Sequence, residues 1–409
     1  MTNLLQPGSG NDALSRPPQP REMMRGRYMF KNPKAAATMW LFDAICGLVF
    51  RRAPPKAPDA PKRILVCNWA HLGDVVLSLP SLKALREAFP NAEIGLLIGG
   101  WSAPVVRNTG LYDHLHILDN ILLDRSAVSR ARRLAPFARQ CMAVIKDVRA
   151  KRYDVAIDLH AYFPTAAFLL YCAGTPIRCG FTSGGFGPFL THPVRWRYEG
   201  KSMGRYGQNL FAALWPNAAI AQNKLGACYP HRASAPLPAT LEGRPYVVLH
   251  LGAGAPQREW PEPNWERLIE AFVEARIYVA IIGAGPREAD RARRVAHALG
   301  DLGQTSAHGG LFLDLPWDRF VTIMAQARCA VCLESSAAHV AAAFQVPTAA
   351  IYRRALGAFS GVIDPHVLWG PDNPHATILS GQIDSTAGVT PEMVFETVLK
   401  LLRSAPVAA

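Results

Sequence analysis

The sequence predicts an α/β protein built from two domains, each a parallel, right-handed sheet covered by helices. Three observations carry this. Short unbroken apolar runs recur, among them Ile64–Cys67, Tyr246–Leu251 and Cys329–Leu333, without the in–out alternation of a half-exposed strand. Each run gives way to a turn rich in Gly, Asp or Ser, and stretches of helical period follow. The series runs twice, with a proline-rich interval at 231–245 between the two passes.

The composition suits such a fold. The chain has 409 residues, 50% of them hydrophobic and 18% charged, enough for two domains and appendages. Its net charge of +13 implies an acidic partner: a phosphorylated substrate, an anionic membrane or nucleic acid. Nucleic acid has charge alone in its favour, so none is expected. The eight cysteines are scattered and several fall inside apolar runs, which predicts free thiols in a reducing, cytoplasmic compartment. Cys329 and Cys332 have CxxC spacing, but they lie in one strand-like run without a second pair. Residues three apart on a strand point to opposite faces, so buried structural thiols are expected and no metal.

Residues 1–33 are polar, Pro- and Gly-rich and aperiodic, which predicts a disordered tail. Residues 34–61 read as a helix followed by a Pro-rich linker that isolates it. The helix is apolar over about 16 residues and interrupted by Asp43, short of the roughly 20 needed to span a bilayer. Basic residues flank it: Arg25, Arg27, Lys31 and Lys34 before, Arg51, Arg52 and Lys56 after. Two placements fit: in the interface of an anionic membrane, or docked by its apolar side on the protein body.

The first domain, 62–230, opens with the strand Ile64–Cys67, then a Gly73–Asp74 turn and a helical pattern led in by Pro80. Leu82, Leu85 and Phe89 share one face of Ser81–Phe89. Strands follow at Ile94–Ile98, His116–Leu118, Tyr153–Leu159 and Ile177–Phe181. Helices are expected at Pro136–Ala150, Ala166–Cys172 and Met203–Trp215, and a flexible loop at Thr182–Pro188. After the linker 231–245, the second domain, 246–385, has strands at Tyr246–Leu251, Ile277–Ile282, Cys329–Leu333 and Thr348–Tyr352. Its helices are Glu262–Ala275, Arg287–Leu299, Pro316–Ala327, begun by proline at its first turn, and Ala337–Phe344. A final helix, Pro391–Arg403, lies in the closing segment 386–409.

Chemistry is expected where strands end, because ligands of open α/β sheets bind outside the carboxyl edge. Asp74 sits on the turn after the first strand. Two roles fit it: a helix N-cap, or a general base that takes a proton from an attacking hydroxyl. His71 stands three residues earlier, and Asp158 and His160 end a neighbouring strand, so these three are candidates for an acceptor side. In the second domain, Gly252 and Gly254, then Gly283, form turns that expose backbone N–H groups to a phosphate. Arg258 follows the first of these turns, where a guanidinium can clamp a diphosphate. Glu288 follows the second and suits ribose hydroxyls or the helix N-terminus. Glu334, Ser335, Ser336 and His339 lie between a strand and a helix.

Taken together, these residues resemble glycosyltransferase family 9, the heptosyltransferases of lipopolysaccharide assembly. LGDVVLSLPSLKALREAFPNAEI is similar to the family's opening block, LGAGAPQREWPEPNWERLI to its central block, and CLESSAAHVAAAFQVPTAAIY to its third, over about residues 62–380. The resemblance implies a GT-B fold, two Rossmann-like domains facing a cleft. It implies metal-independent, inverting transfer of a sugar, typically heptose from ADP-heptose, with no cofactor. It casts Asp74 as base, Arg258 at the donor phosphate, Glu288 near the donor ribose, Glu334 at the donor sugar, and Ser335, Ser336 and His339 on the phosphate side. This chain departs from the family pattern in having Glu334 for Asp, Ser336 for Gly, and Arg353 and Arg354 for small residues.

The expected function is therefore glycosyl transfer from a nucleotide-sugar to an anionic glycolipid or glycan, in the cytoplasm and peripheral to the inner membrane. The alternative is a catalytically silent scaffold or sugar-binding protein of the same fold, suggested by the altered third block. A dinucleotide oxidoreductase is disfavoured by the missing GxGxxG and by the lack of a clear ribose-binding acid about 20 residues after either turn.

Overall fold

The computed structural model describes residues 28–30, 32–50, 54–123, 130–218, 220–221, 223–228, 235–300, 307–354 and 365–404. The expected disordered tail lies outside them except for 28–30, 32 and 33, as do Arg25, Arg27, Lys31, Arg51, Arg52 and part of the linker 231–245.

Helix α1 (Pro33–Phe50) precedes a first α/β series. That series runs β1 (Arg63–Asn68), α2 (Leu72–Ala88), β2 (Glu93–Ile98), α3 (Ala103–Val106), β3 (His114–Ile117) and α4 (Arg130–Lys151). It continues with β4 (Val155–Asp158), α5 (Ala167–Cys172), β5 (Ile177–Phe181), β6 (His192–Val194) and α6 (Gly207–Leu214). The second series runs β7 (Tyr246–His250), α7 (Glu262–Glu274), β8 (Tyr278–Gly283), α8 (Pro286–Val295), β9 (Gly309–Leu313) and α9 (Trp317–Ala325). Then come β10 (Cys329–Leu333), α10 (Ser336–Ala343), β11 (Thr348–Arg354), α11 (Pro365–Trp369), β12 (Ala376–Ile383) and α12 (Pro391–Ser404).

The strands form two six-stranded sheets of order β3-β2-β1-β4-β5-β6 and β12-β11-β10-β7-β8-β9. Every pairing is parallel. Both orders are the doubly wound one, whose strand order reverses between the first and fourth strands. The crevice at each reversal lies past β1 and β4 in one sheet and past β7 and β10 in the other. Side chains of the central strands are buried on both faces, as continuous apolar runs require. Cys329 packs into the core on one face of the second sheet and Cys332 into the core on the other. All eight cysteines are free.

Several expectations needed correction. α2 starts at Leu72, so Pro80 lies inside the helix and does not lead it in. The helix survives because its proline stretch is buried against the first core, where packing outweighs one missing backbone hydrogen bond. Pro316 caps α9 from outside it. Met203–Arg205 is a separate 3-10 turn before α6, and Ala296–Leu299 a 3-10 turn after α8. Strands β6, β9 and β12 went unread: β6 is three residues with a central proline, and β9 opens on two glycines. The loop 182–188 is tied down, since Ser183 Oγ donates to Ala161 O (2.6 Å) and Met29 N to Ser183 O (2.8 Å).

The linker does not isolate α1. Ala57 is buried in the first core and Pro58 O accepts from Trp215 Nε1 at 2.9 Å. α1 itself docks on the loop after β5. Phe42 meets Phe186 edge-on, ring centroids 5.4 Å apart, and Phe50 lies 5.1 Å from Phe189. Asp43 is turned inward and buried, where it accepts from Tyr28 Oη (2.9 Å) and from Phe186 N (3.0 Å).

The two sheets meet through α2 and α10, with the 3-10 turn Leu225–Cys228 packed on both helices. Chain also passes back across: Leu368 of α11, after a second-sheet strand, is buried in the first core. Arg205 and Asp372 pair at 2.8 Å. These contacts set the two crevices opposite each other.

Candidate active site

Asp74 occupies the third position of α2, one turn past β1. It is not the N-cap; His71 is, and donates its backbone N–H to Asp74 Oδ2 at 3.2 Å. Asn68, the last residue of β1, donates through Nδ2 to Asp74 O at 2.9 Å. The carboxyl is half-buried, and burial pushes its pKa up to about 6. Three groups oppose that rise: the His71 N–H, the Trp369 indole, which donates to the carboxylate, and the positive charge of Arg258. Two of these come from the second half of the chain. A carboxylate tuned near neutrality takes a proton more effectively than an ordinary aspartate.

Opposite stands the amino end of α10. A Cβ on Gly73 would lie 3.6 Å from His339 Cδ2 and 3.8 Å from Ser336 Cα, so this glycine lets the ends of α2 and α10 approach. His339 is buried and its pKa is lowered to about 4 by that burial, leaving a neutral ring. Glu334, the residue after β10, is buried with its Oε1 3.1 Å from Arg258 NH1. Arg353 of β11 approaches the other oxygen at 3.8 Å and also pairs with Asp384. The carboxylate is thus held between two guanidinium groups.

Behind this pair, Ser335 Oγ lies 3.4 Å from His250 Nδ1, and His250 Nε2 lies 3.8 Å from Glu288 Oε2. Glu288 accepts Ala284 N–H at 3.0 Å, which secures the start of α8. It also fills the space against Gly252, where a Cβ would fall 2.0 Å from Glu288 Oε1. Gly252 is therefore a close-approach glycine whose neighbour in this structure is the glutamate. Gly283 ends β8 beside the Glu288 backbone. Gly254 is exposed in the turn before Arg258.

On the first domain's side, Asp158 ends β4, and both its oxygens accept backbone N–H groups, of His160 (3.1 Å) and Ala166 (2.6 Å). Burial raises its pKa to about 7. Asp158 shapes the loop after β4. That loop carries His160, whose pKa falls to about 4 through burial and the nearby His71, and Tyr162, whose ring lies 5.7 Å from that of Trp369. A cavity lined by Asn68, Asp74, Ser78, His160 and Tyr162 opens beside the Asp74 carboxyl. His71 itself is exposed at the mouth.

Asp74, Arg258, Glu334, Ser336 and His339 converge where the two crevices face. Trp369, Arg353, His250, Asn68 and Tyr162 complete the assembly. Sequence reading flagged Arg353 only as an unusual residue, and the other four carried no motif. Trp369 gave no local signal, because α11 is a short turn placed by tertiary contact. Among the described residues no cluster of three or more His, Cys, Asp or Glu side chains suits a metal ion.

Two doubly wound domains whose carboxyl-edge crevices face across a shared cleft constitute the GT-B glycosyltransferase architecture. Residues 141–405, more than half of the chain, match "Glycosyltransferase family 9 (heptosyltransferase)". The chain belongs to that family. It is similar to lipopolysaccharide heptosyltransferase 1 of Pseudomonas aeruginosa, with 22% identity over 78% of this chain and 86% of that one. Its fold is similar to the E. coli heptosyltransferase WaaC with ADP, at TM-score 0.66 and 18% identity over 83% of this chain and 99% of that one. E. coli ADP-heptose lps heptosyltransferase II matches at TM-score 0.62 and 20% identity, covering 83% and 98%.

Proposed function

We propose that the protein is an inverting, metal-independent transferase. It moves heptose or a related sugar from a nucleotide-sugar, ADP-heptose, to a hydroxyl of an anionic lipopolysaccharide-core acceptor at the cytoplasmic face of the inner membrane. The observation that carries this reading is the facing of Asp74 and Arg258, contributed by different domains. Asp74 removes the acceptor hydroxyl proton as the new C–O bond forms at the anomeric carbon. The bond from that carbon to the nucleoside diphosphate breaks, and the diphosphate keeps the electron pair. Arg258 and the amino end of α10 stabilise the charge that develops there. The relatives' names support the donor and acceptor classes, and the net charge of +13 suits a phosphorylated acceptor.

The test is an assay with ADP-heptose and defined core glycolipids, with and without a chelator, and with the product's anomeric configuration read by NMR. Transfer with inversion that survives the chelator is expected. Retention of configuration, or loss of activity restored by added divalent cation, would overturn the mechanism. Tight ADP binding with no transfer to any core acceptor would favour the silent scaffold.

A further inference from the structure

The docked helix α1 has a second face that the protein leaves uncovered. Met39, Asp43, Gly47 and Phe50 face the body. Trp40, Leu41, Ile45, Leu48 and Val49, at helical spacing on the other side, are exposed, Leu48 by 87% and Val49 by 70%. The helix is long and apolar enough to be considered for a membrane span. Asp43, however, stands near its middle and is hydrogen-bonded to Tyr28 and to the backbone of Phe186. A helix held to the globular body at mid-length cannot also cross a bilayer.

We propose that α1 is an in-plane anchor that seats its outer apolar face in the surface of an anionic phospholipid bilayer. Its sequence flanks, Lys34 at one end and Arg51, Arg52 and Lys56 at the other, suit phosphate headgroups. The same flanks argue against a second copy of this chain as occupant, because antiparallel pairing of two such helices would set cation against cation. Trp40 has the amphipathic ring that favours the headgroup boundary. The anchor also has a defined position relative to the cleft. Phe186, which α1 holds through Asp43, stacks on Phe163 with centroids 6.1 Å apart, and Phe163 lies in the loop that carries His160 and Tyr162. The bilayer surface therefore lies on the side where the cavity beside Asp74 is lined by first-domain residues. Lipid binding stands independently of the proposed sugar transfer; only its use for presenting the acceptor rests on that reading.

The test uses the full-length chain and sedimentation with vesicles of 30% phosphatidylglycerol in phosphatidylethanolamine, or of phosphatidylcholine alone. Binding to the anionic vesicles is expected to exceed that to phosphatidylcholine and to weaken with salt. I45E/L48E is expected to lower it by at least about tenfold, with ADP binding and melting temperature unchanged. Three results would overturn the proposal: no vesicle binding by the wild-type chain, undiminished binding by I45E/L48E, or a dimer that the double substitution dissociates without affecting vesicle binding. Native membranes separate the topologies, because an in-plane anchor is released by alkaline carbonate and a spanning helix is not. Retention after carbonate would overturn the in-plane assignment.

Discussion

The guanidinium of Arg258 lies 3.1 Å from the Glu334 carboxylate, and the charge of Arg258 also acts on Asp74 across the cleft. One cation therefore answers to an acid on each side. On the proposed function, a donor diphosphate would compete with Glu334 for it. Arg258→Met is expected to lower kcat about 100-fold or more, and Arg258→Lys to recover most of that loss. Steady-state kinetics with saturating donor check this. Equal kcat for Met and Lys at this position would show that the charge is not used in the transition state.

Asp74→Asn is expected to reduce kcat about 10³-fold while leaving donor affinity near the wild-type value. In the wild-type enzyme, kcat/KM should rise with pH through about 6, where the half-buried carboxyl ionises. An acid limb that persists unchanged in Asp74→Asn belongs to another group.

The same carboxyl makes a stability prediction with a definite sign. Its folded pKa of about 6 is raised above the ordinary 3.8. Its contribution is therefore fully present below the unfolded value and is lost as pH rises through about 6. Asp74→Asn removes the cost of the buried charge, so its melting temperature should exceed that of wild type at pH 7.5 and match it near pH 4. Scanning fluorimetry at both pH values measures the gap, and a gap that widens toward acid pH contradicts the sign.

Gly252→Ala puts a Cβ where the Glu288 carboxylate lies, 2.0 Å from Oε1. Because that carboxylate is the end of a flexible, partly exposed side chain, the single substitution should cost no more than about 1 kcal/mol in urea denaturation. Adding Glu288→Ala should return part of that loss, because the clash disappears. Additive losses would mean that the backbone, and not the carboxylate, sets the limit.

Arg353→Met removes one of the two guanidinium groups that flank the buried Glu334 carboxylate. A loss of roughly 2–4 kcal/mol is expected, and Glu334→Gln in the same chain should shrink it. Urea titration of the single and double variants gives the coupling.

Much of this architecture was legible in the chain itself. The runs Ile64–Cys67 and Cys329–Leu333 read as buried parallel strands because both faces of such strands are covered, which removes polar residues from them. The long helices near Pro136 and Glu262 carried a 3.6-residue period. Of the strands that escaped, β6 is three residues with a central proline, β9 opens on two glycines, and β12 is a largely uncovered strand that lacks a continuous apolar run and carries Ser380–Gly381 inside it. Pro80 misled because proline opens helices more often than it sits inside them; burial of α2 overrode that preference. Asp74, Arg258 and Glu334 were singled out because each follows a strand, the place where an open sheet meets its ligand.

By itself, the sequence determined the fold class, the doubling of the α/β unit and the residues at strand ends, because these follow from local periodicity and turn chemistry. Tertiary structure alone decided that the Trp369 indole reaches Asp74, that Arg353 braces Glu334, and that Asp43 turns α1 toward the body and its leucines outward. Those relationships join residues far apart in the chain, and no local pattern encodes them. They arise when two crevices are packed face to face and each buried charge must find a partner within reach.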